Sequence, residues 1–315
     1  MRTFAVVAAA LAMTLGTAAE PPQDDPILRA MRDELARARA LKVVSQATPY
    51  YIEYALHDAD NVSVSATLGA LLGSNRSRFR LPRIQVRVGD YAFDNTNFVG
   101  TDFVPGTHYD VGDFPLDNSY PVLRHHLWLA TDMAYKRAVE AYSLKQASLK
   151  NVTQNEELAD FYPAKPVEDV TGARVRTFDQ AGWAARVRRL SALFLDYPGV
   201  TRSTVSFEAG RGVQYLVTSE GTRLRIQEGS AALRVRAVAQ AADGMLLRDA
   251  LVFHAFDPDR MAPDAEVERG IREVAANLTS LAQAPVGESY SGPVLFEGMA
   301  APQMFAQLLG RNLAP

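Results

Sequence analysis

Apolar residues recur at three- and four-residue steps through Ile27, Leu28, Met31, Leu35, Ala38 and Leu41, which predicts an amphipathic helix over 26–42. Asp25 supplies an N-cap and Pro26 a first helical residue that needs no amide donor. From Tyr50 the period changes to two. Ile52, Tyr54 and Leu56 share one face and Tyr51, Glu53, Ala55 and His57 the other, as in a half-buried strand. The polar run 58–61 reads as a turn, and a second strand-like run over 62–72 leads through Gly73, Ser74 and Asn75 into 79–88. There Ile84, Val86 and Val88 alternate with Arg83, Gln85 and Arg87. Residues 89–118 carry no sustained period and read as a structured loop. Leu123, Leu127, Ala130, Ala134 and Ala141 then mark one face of a helix of about 30 residues at 3.6 residues per turn.

The polar stretch 151–177, with Pro163 and Pro166, is the expected linker. Beyond it the same grammar returns. Asp179 caps a helix whose Trp183, Val187, Leu190 and Phe194 share a face, and Pro198 ends it. Strand-like runs follow over 201–208, 213–218, 222–227, 231–240 and 246–256, with hairpin turns expected at 210–212, 219–221 and 243–244. A last long helix is expected where Val267, Ile271, Val274, Leu278 and Leu281 recur. Helix, antiparallel strands, helix therefore occurs twice, which predicts an α+β fold of two helix–antiparallel sheet–helix units, 20–150 and 178–315. Alternation with short hairpins argues against a parallel, doubly covered sheet.

Arg2, the apolar run 4–15 and the small residues Thr17, Ala18 and Ala19 read as a secretory signal over 1–19, cleaved after Ala19, and predict a periplasmic or secreted chain. The run is too short for a bilayer span, which takes about 20 residues, and no membrane span is expected elsewhere. A net charge of −3, from 33 basic and 36 acidic residues, provides no field to attract nucleic acid. Without cysteine, disulfides and thiolate metal sites are excluded.

Five histidines are present, and none forms the i, i+4 pair that grips zinc on a helix. His125 and His126, adjacent on a helix, point about 100° apart, and His254 reads as a sheet-face residue. The run 287–292 is not a G-x-S-x-G elbow, and no phosphate-binding glycine loop occurs. Asp110, Asp113 and Asp117 lack the spacing of an EF-hand and read as solvated loop acids. Arg76, Arg78, Arg80, Arg83 and Arg87 read first as a solvated sheet face. The functional reading of the same series is a wall, centred on Arg83 and Arg87, that contacts an extended peptide.

The closing stretch, YSGPVLFEGMAAPQMFAQLLGRNL over 290–313, reads as a strand at 293–296, a turn at Gly298 and a buried helix. It resembles the segment of TldD/PmbA-family metalloproteases in which a strand feeds the HExxGH zinc helix. The runs PYYIEYALHDADNVSVSATLGALL, RLPRIQVRVGDYAFDNTNF and LAQAPVGESYSGPVLFEG are similar to the same family, over about 25–313. In that register Gly310 matches the family glycine, whereas the two histidine ligands fall on Ala306 and Arg311 and the general-base glutamate on Gln307. The resemblance implies a peptide-degrading assembly in which a zinc-bearing TldD-like subunit pairs with a metal-free PmbA-like one. It further implies that this chain holds no cofactor and is not active alone. Family members continue into a C-terminal domain where this sequence ends at Pro315, so the chain reads as a truncated product or a stand-alone N-terminal module. The other reading is a periplasmic module that binds an extended peptide without any protease partner.

Overall fold

A computed structural model describes residues 25–39, 48–97, 109–150, 158–170, 172 and 178–313. The expected signal segment 1–19, the end of the first expected helix, residues 151–157, 171 and 173–177 of the expected linker, and the centre of the 89–118 loop lie outside the described residues. The chain forms one six-stranded sheet with helices, in the expected α+β class.

Helix α1 (Pro26–Ala38) starts on Asp25, whose Oδ1 accepts from the Ile27 and Leu28 amides at 2.9 and 3.2 Å. Its other oxygen, Oδ2, accepts from Tyr215 Oη at 2.9 Å and Arg225 Nε at 2.7 Å, so one carboxylate caps the helix and ties it to the sheet. Strands β1 (Pro49–Thr67) and β2 (Ala70–Val88) form a long hairpin. Its turn lies at Leu68 and Gly69, both at positive φ. Helix α2 (Tyr120–Leu149) follows, 30 residues long as expected. A three-residue strand, β3 (Glu168–Val170), lies inside the expected linker and pairs parallel with the later β5. Then come α3 (Gln180–Ala192), β4 (Val200–Thr218), β5 (Arg223–Gln240), β6 (Leu246–Ala255) and α4 (Asp264–Gln283).

The two halves of the sequence join in a single sheet. β1 pairs antiparallel with β4 from Glu53 opposite Thr218 to Ala66 opposite Val205, giving the order β2-β1-β4-β5. Beyond β5, its two ends are flanked by β3 and β6. Period two places Ile52, Tyr54, Leu56, Val62, Val64 and Ala66 of β1 on one face, and all are buried. Two cores form on that face. One packs α1 and α2 over Ile52, Tyr54, Val86 and Tyr215, and the other packs α3 and α4 over Val64, Phe207, Leu233 and Val235. In the second, Trp183 stacks flat on Phe207 with ring centroids 3.5 Å apart.

Four sequence expectations are overturned here, for one shared reason. Residues 58–61, 73–75 and 210–212 are mid-strand rather than turns, and the separate runs expected on either side of 210–212 and 228–230 are single strands. Their polar and glycine composition resembles a turn locally, but antiparallel pairing aligns them side by side. Asn61 faces Ser77 on one side and Gly210 on the other, and Gly210 faces Ser230. Cross-strand partners, absent from any local window, satisfy these residues in extended backbone. The turns at Gly221 and Gly244 form as expected, each glycine at positive φ.

On the helix-bearing face this aligned belt is ionic. Asp60 accepts both Arg76 Nε and Nη2, at 2.9 and 2.5 Å, and Asp58 accepts from Arg78 and Arg80. The expectation that the arginine series is one solvated face is therefore corrected. Even-numbered Arg76, Arg78 and Arg80 share the helix side and odd-numbered Arg83 and Arg87 the other, because one-residue steps alternate faces. Arg80 is fully buried and donates to the Pro115 and Asp117 carbonyls, both at 2.9 Å, to Asn118 Oδ1 and to Asp58. Burial raises the Asp58 carboxyl, but Arg80 and Arg78 outweigh it and hold Asp58 below its usual range.

The closing stretch is also corrected. Residues 293–296 form no strand, and no side chain of α5 (Ala300–Phe305) or of residues 306–310 is buried. Leu295, Phe296, Phe305 and Leu308 are exposed rather than part of either core.

Candidate functional site

Among the described residues the opposite face of the sheet carries no helix, and there the belt becomes a trough. Gly210 and Gly212 of β4 leave its floor without side chains, and Asn61, Ser77 and Ser230 stand around them. Two adjoining depressions of about 450 and 340 Å³ share Asn61, Gly210 and Ser230 and are open to solvent. A side chain at either glycine would crowd its neighbours. A Cβ on Gly210 would stand 2.7 Å from Asn61 Oδ1, and one on Gly212 2.9 Å from His57 Nε2 and 3.2 Å from the Asp58 carbonyl oxygen.

One end of the trough is closed by His57, which sits edge-on to Phe79 at 5.8 Å and pairs with the Glu228 carboxylate. Gln214 Nε2 donates to the other Glu228 oxygen at 2.6 Å. At the other end Glu208 pairs with Arg234, and the exposed ring of His254 lies beside them. Between these couples, Asn61, Ser63, Asn75, Ser77 and Ser230 make no side-chain hydrogen bond among the described residues. Donors and acceptors are thus offered outward while the Glu208 and Glu228 carboxylates are already engaged within the chain.

Arg83 and Arg87, the expected peptide contacts, stand on this same uncovered face, toward the other end of β2. Arg83 donates to Glu53 Oε1 at 2.7 Å and remains largely exposed. Arg87 lies between the Tyr51 and Phe161 rings, its Cζ 4.5 and 3.5 Å from their centroids. Burial, then the hydrogen bond to Glu53, pushes the Tyr51 phenol well above its ordinary 10. Tyr50 is raised by burial and then by Asp94. Both remain protonated donors at neutral pH.

Catalytic machinery does not assemble around the trough. A nucleophile needs a base within hydrogen-bond reach, and among the described residues no serine or threonine hydroxyl bonds His57. His125 stacks on Trp128 and His126 Nδ1 meets Tyr109 Oη at 2.8 Å, so the adjacent histidines serve separate contacts. Asp110 and Asp117 accept the Gly112 and Ser119 amides, as turn-forming acids do. Zinc does not fit the family register here. Ala306 offers no lone pair and Gln307 no carboxylate, and no group of three or more His, Asp or Glu converges among the described residues.

Arg83 and Arg87 do not line the trough, and Asn61, Gly210, Gly212, Glu228 and Ser230, which do, were not singled out as site residues from the sequence. The available signal was the recurrence of glycine and small polar residues in the middle of otherwise apolar alternation in three separate strands.

No family model matches the chain, and no curated protein matches it. Solved structures similar to it include TldE from Thermococcus kodakarensis, at 10% identity and TM-score 0.47, over 79% of this chain and 47% of that one. A proposed DNA gyrase modulator from Thermotoga maritima is 10% identical with TM-score 0.46, over 79% and 47%. One from Bacteroides thetaiotaomicron is 8% identical with TM-score 0.43, over 78% and 48%. These structures are of the TldD/PmbA type that the sequence resembles, and the chain spans about half their length. Among the described residues no helix is long and apolar enough to cross a membrane.

Proposed function

We propose that this chain is a non-catalytic, PmbA-like component of a TldD/PmbA-type peptide-degrading assembly and that it holds an extended peptide on its uncovered sheet face. The observation that carries the reading is the trough at Gly210, open to solvent and lined by amide and hydroxyl groups that make no side-chain hydrogen bond among the described residues. An extended peptide presents N–H and C=O groups in alternation, which such side chains match. The sequence resemblance supplies the assembly, with a TldD-like subunit bringing the zinc. The signal-like residues 1–19 place its work in the periplasm or outside the cell.

A second reading is a stand-alone peptide-binding module with no protease partner. Purification from the native host separates the two. A co-purifying zinc protein with HExxGH supports the assembly, whereas a free chain that still binds peptide supports the module. Zinc held stoichiometrically by the purified chain, with chelator-sensitive peptide cleavage, contradicts both.

A further inference from the structure

We infer that the trough selects peptide segments whose side chains are small and uncharged, an inference that rests on the peptide-holding reading above. The charged groups along it are already engaged, Glu208 with Arg234, and Glu228 with the Gln214 amide and the His57 ring. A lysine or glutamate entering the trough gives up hydration and meets no free counter-charge there, which disfavours it. Neutral hydrogen-bonding groups meet the opposite situation. Asn61 and Ser77, directly opposite each other on β1 and β2, are free to bond a ligand, and so is Ser230.

The floor sets size. Gly210 and Gly212 let a ligand backbone approach the sheet closely, as glycine does wherever backbones meet. Asn61 lies over Gly210 so closely that its Oδ1 would be 2.7 Å from a Cβ there. A bulky ligand side chain directed at the floor meets this carboxamide first. The Glu208–Arg234 couple is also a latent specificity element, since removing its acid would leave an unmatched guanidinium facing the trough.

Calorimetry on the full chain tests this with eight-residue peptides built from Gly, Ser, Ala and Asn, and with versions carrying two Glu, two Lys or two Phe. The neutral small peptide is expected to bind at least about tenfold tighter than each of the others, a factor that corresponds to roughly 1.4 kcal/mol. Asn61→Ala weakens it about fivefold, the size of one lost hydrogen bond. Glu208→Gln, at a half-exposed position, raises affinity for the Glu-bearing peptide severalfold relative to the neutral peptide. Equal affinity for all four peptides, or no gain for the acidic peptide in Glu208→Gln, overturns the selectivity while the peptide-holding reading stands. Failure of every peptide to bind overturns that reading as well.

Discussion

Asn61 and Gly210 face each other across β1 and β4, and the Asn61 carboxamide occupies the space a side chain at 210 would need, 2.7 Å from its Cβ position. Two residues later on β4, Gly212 faces Ala59, and a Cβ there would stand 2.9 Å from His57 Nε2 and 3.2 Å from the Asp58 backbone oxygen. The two glycines therefore differ in how a methyl group can be accommodated. Gly210→Ala displaces only the tip of a flexible side chain and is expected to change stability by less than about 1 kcal/mol, whereas Gly212→Ala strains backbone and costs about 1–3 kcal/mol. Urea denaturation of both variants measures the difference, and equal effects contradict the geometry.

Asp58 is the acid on which two arginines converge, one of them fully buried. Replacing it by alanine leaves Arg80 with neutral acceptors only and is expected to destabilise the fold by about 3 kcal/mol in urea. Arg83→Ala, which removes an exposed partner of Glu53, is expected to change it by less than about 1 kcal/mol.

The same carboxylate predicts an acid limb. Its folded pKa lies below the ordinary 3.8, so the unfolded chain binds its proton first as pH falls. The stabilisation is complete above that ordinary value and is lost as pH drops through the lower folded value. Thermal unfolding between pH 5 and about 2 is expected to be shallower in Asp58→Asn than in the parent.

Asp25 joins two roles in one side chain, capping α1 and receiving Tyr215 and Arg225. Loss of a cap alone costs about 1 kcal/mol. With the buried Arg225 also left without its acid, Asp25→Ala is expected to cost roughly 3 kcal/mol. Asp25→Asn keeps the cap and is expected to recover part of it, as circular dichroism melts would show.

Much of this fold is written locally. The Asp25–Pro26 start of α1, the face of α2 carried by Leu123 and Leu127, and the Gly221 and Gly244 turns all follow from neighbours in sequence. The sheet's centre does not. Asp58 to Asn61 read as a turn because their partners, Arg78 and Arg80 on β2 and Gly210 on β4, are far along the chain and become visible only through register. The places where local reasoning broke strands are the places that build the trough, as expected where function overrides local preference. The closing stretch failed for the opposite reason. Leu295, Phe296 and Leu308 have the pattern of buried elements, yet they are exposed.

The most direct test of the account maps where a peptide sits. A neutral eight-residue peptide with a photoreactive group at its centre is cross-linked to the full chain, and the adducts are located by mass spectrometry. Adducts on the β1, β2, β4 and β5 segments around Asn61, Ser77, Gly210 and Ser230 are the predicted result. Adducts confined to the helix-bearing side or to residues 284–313 would contradict it.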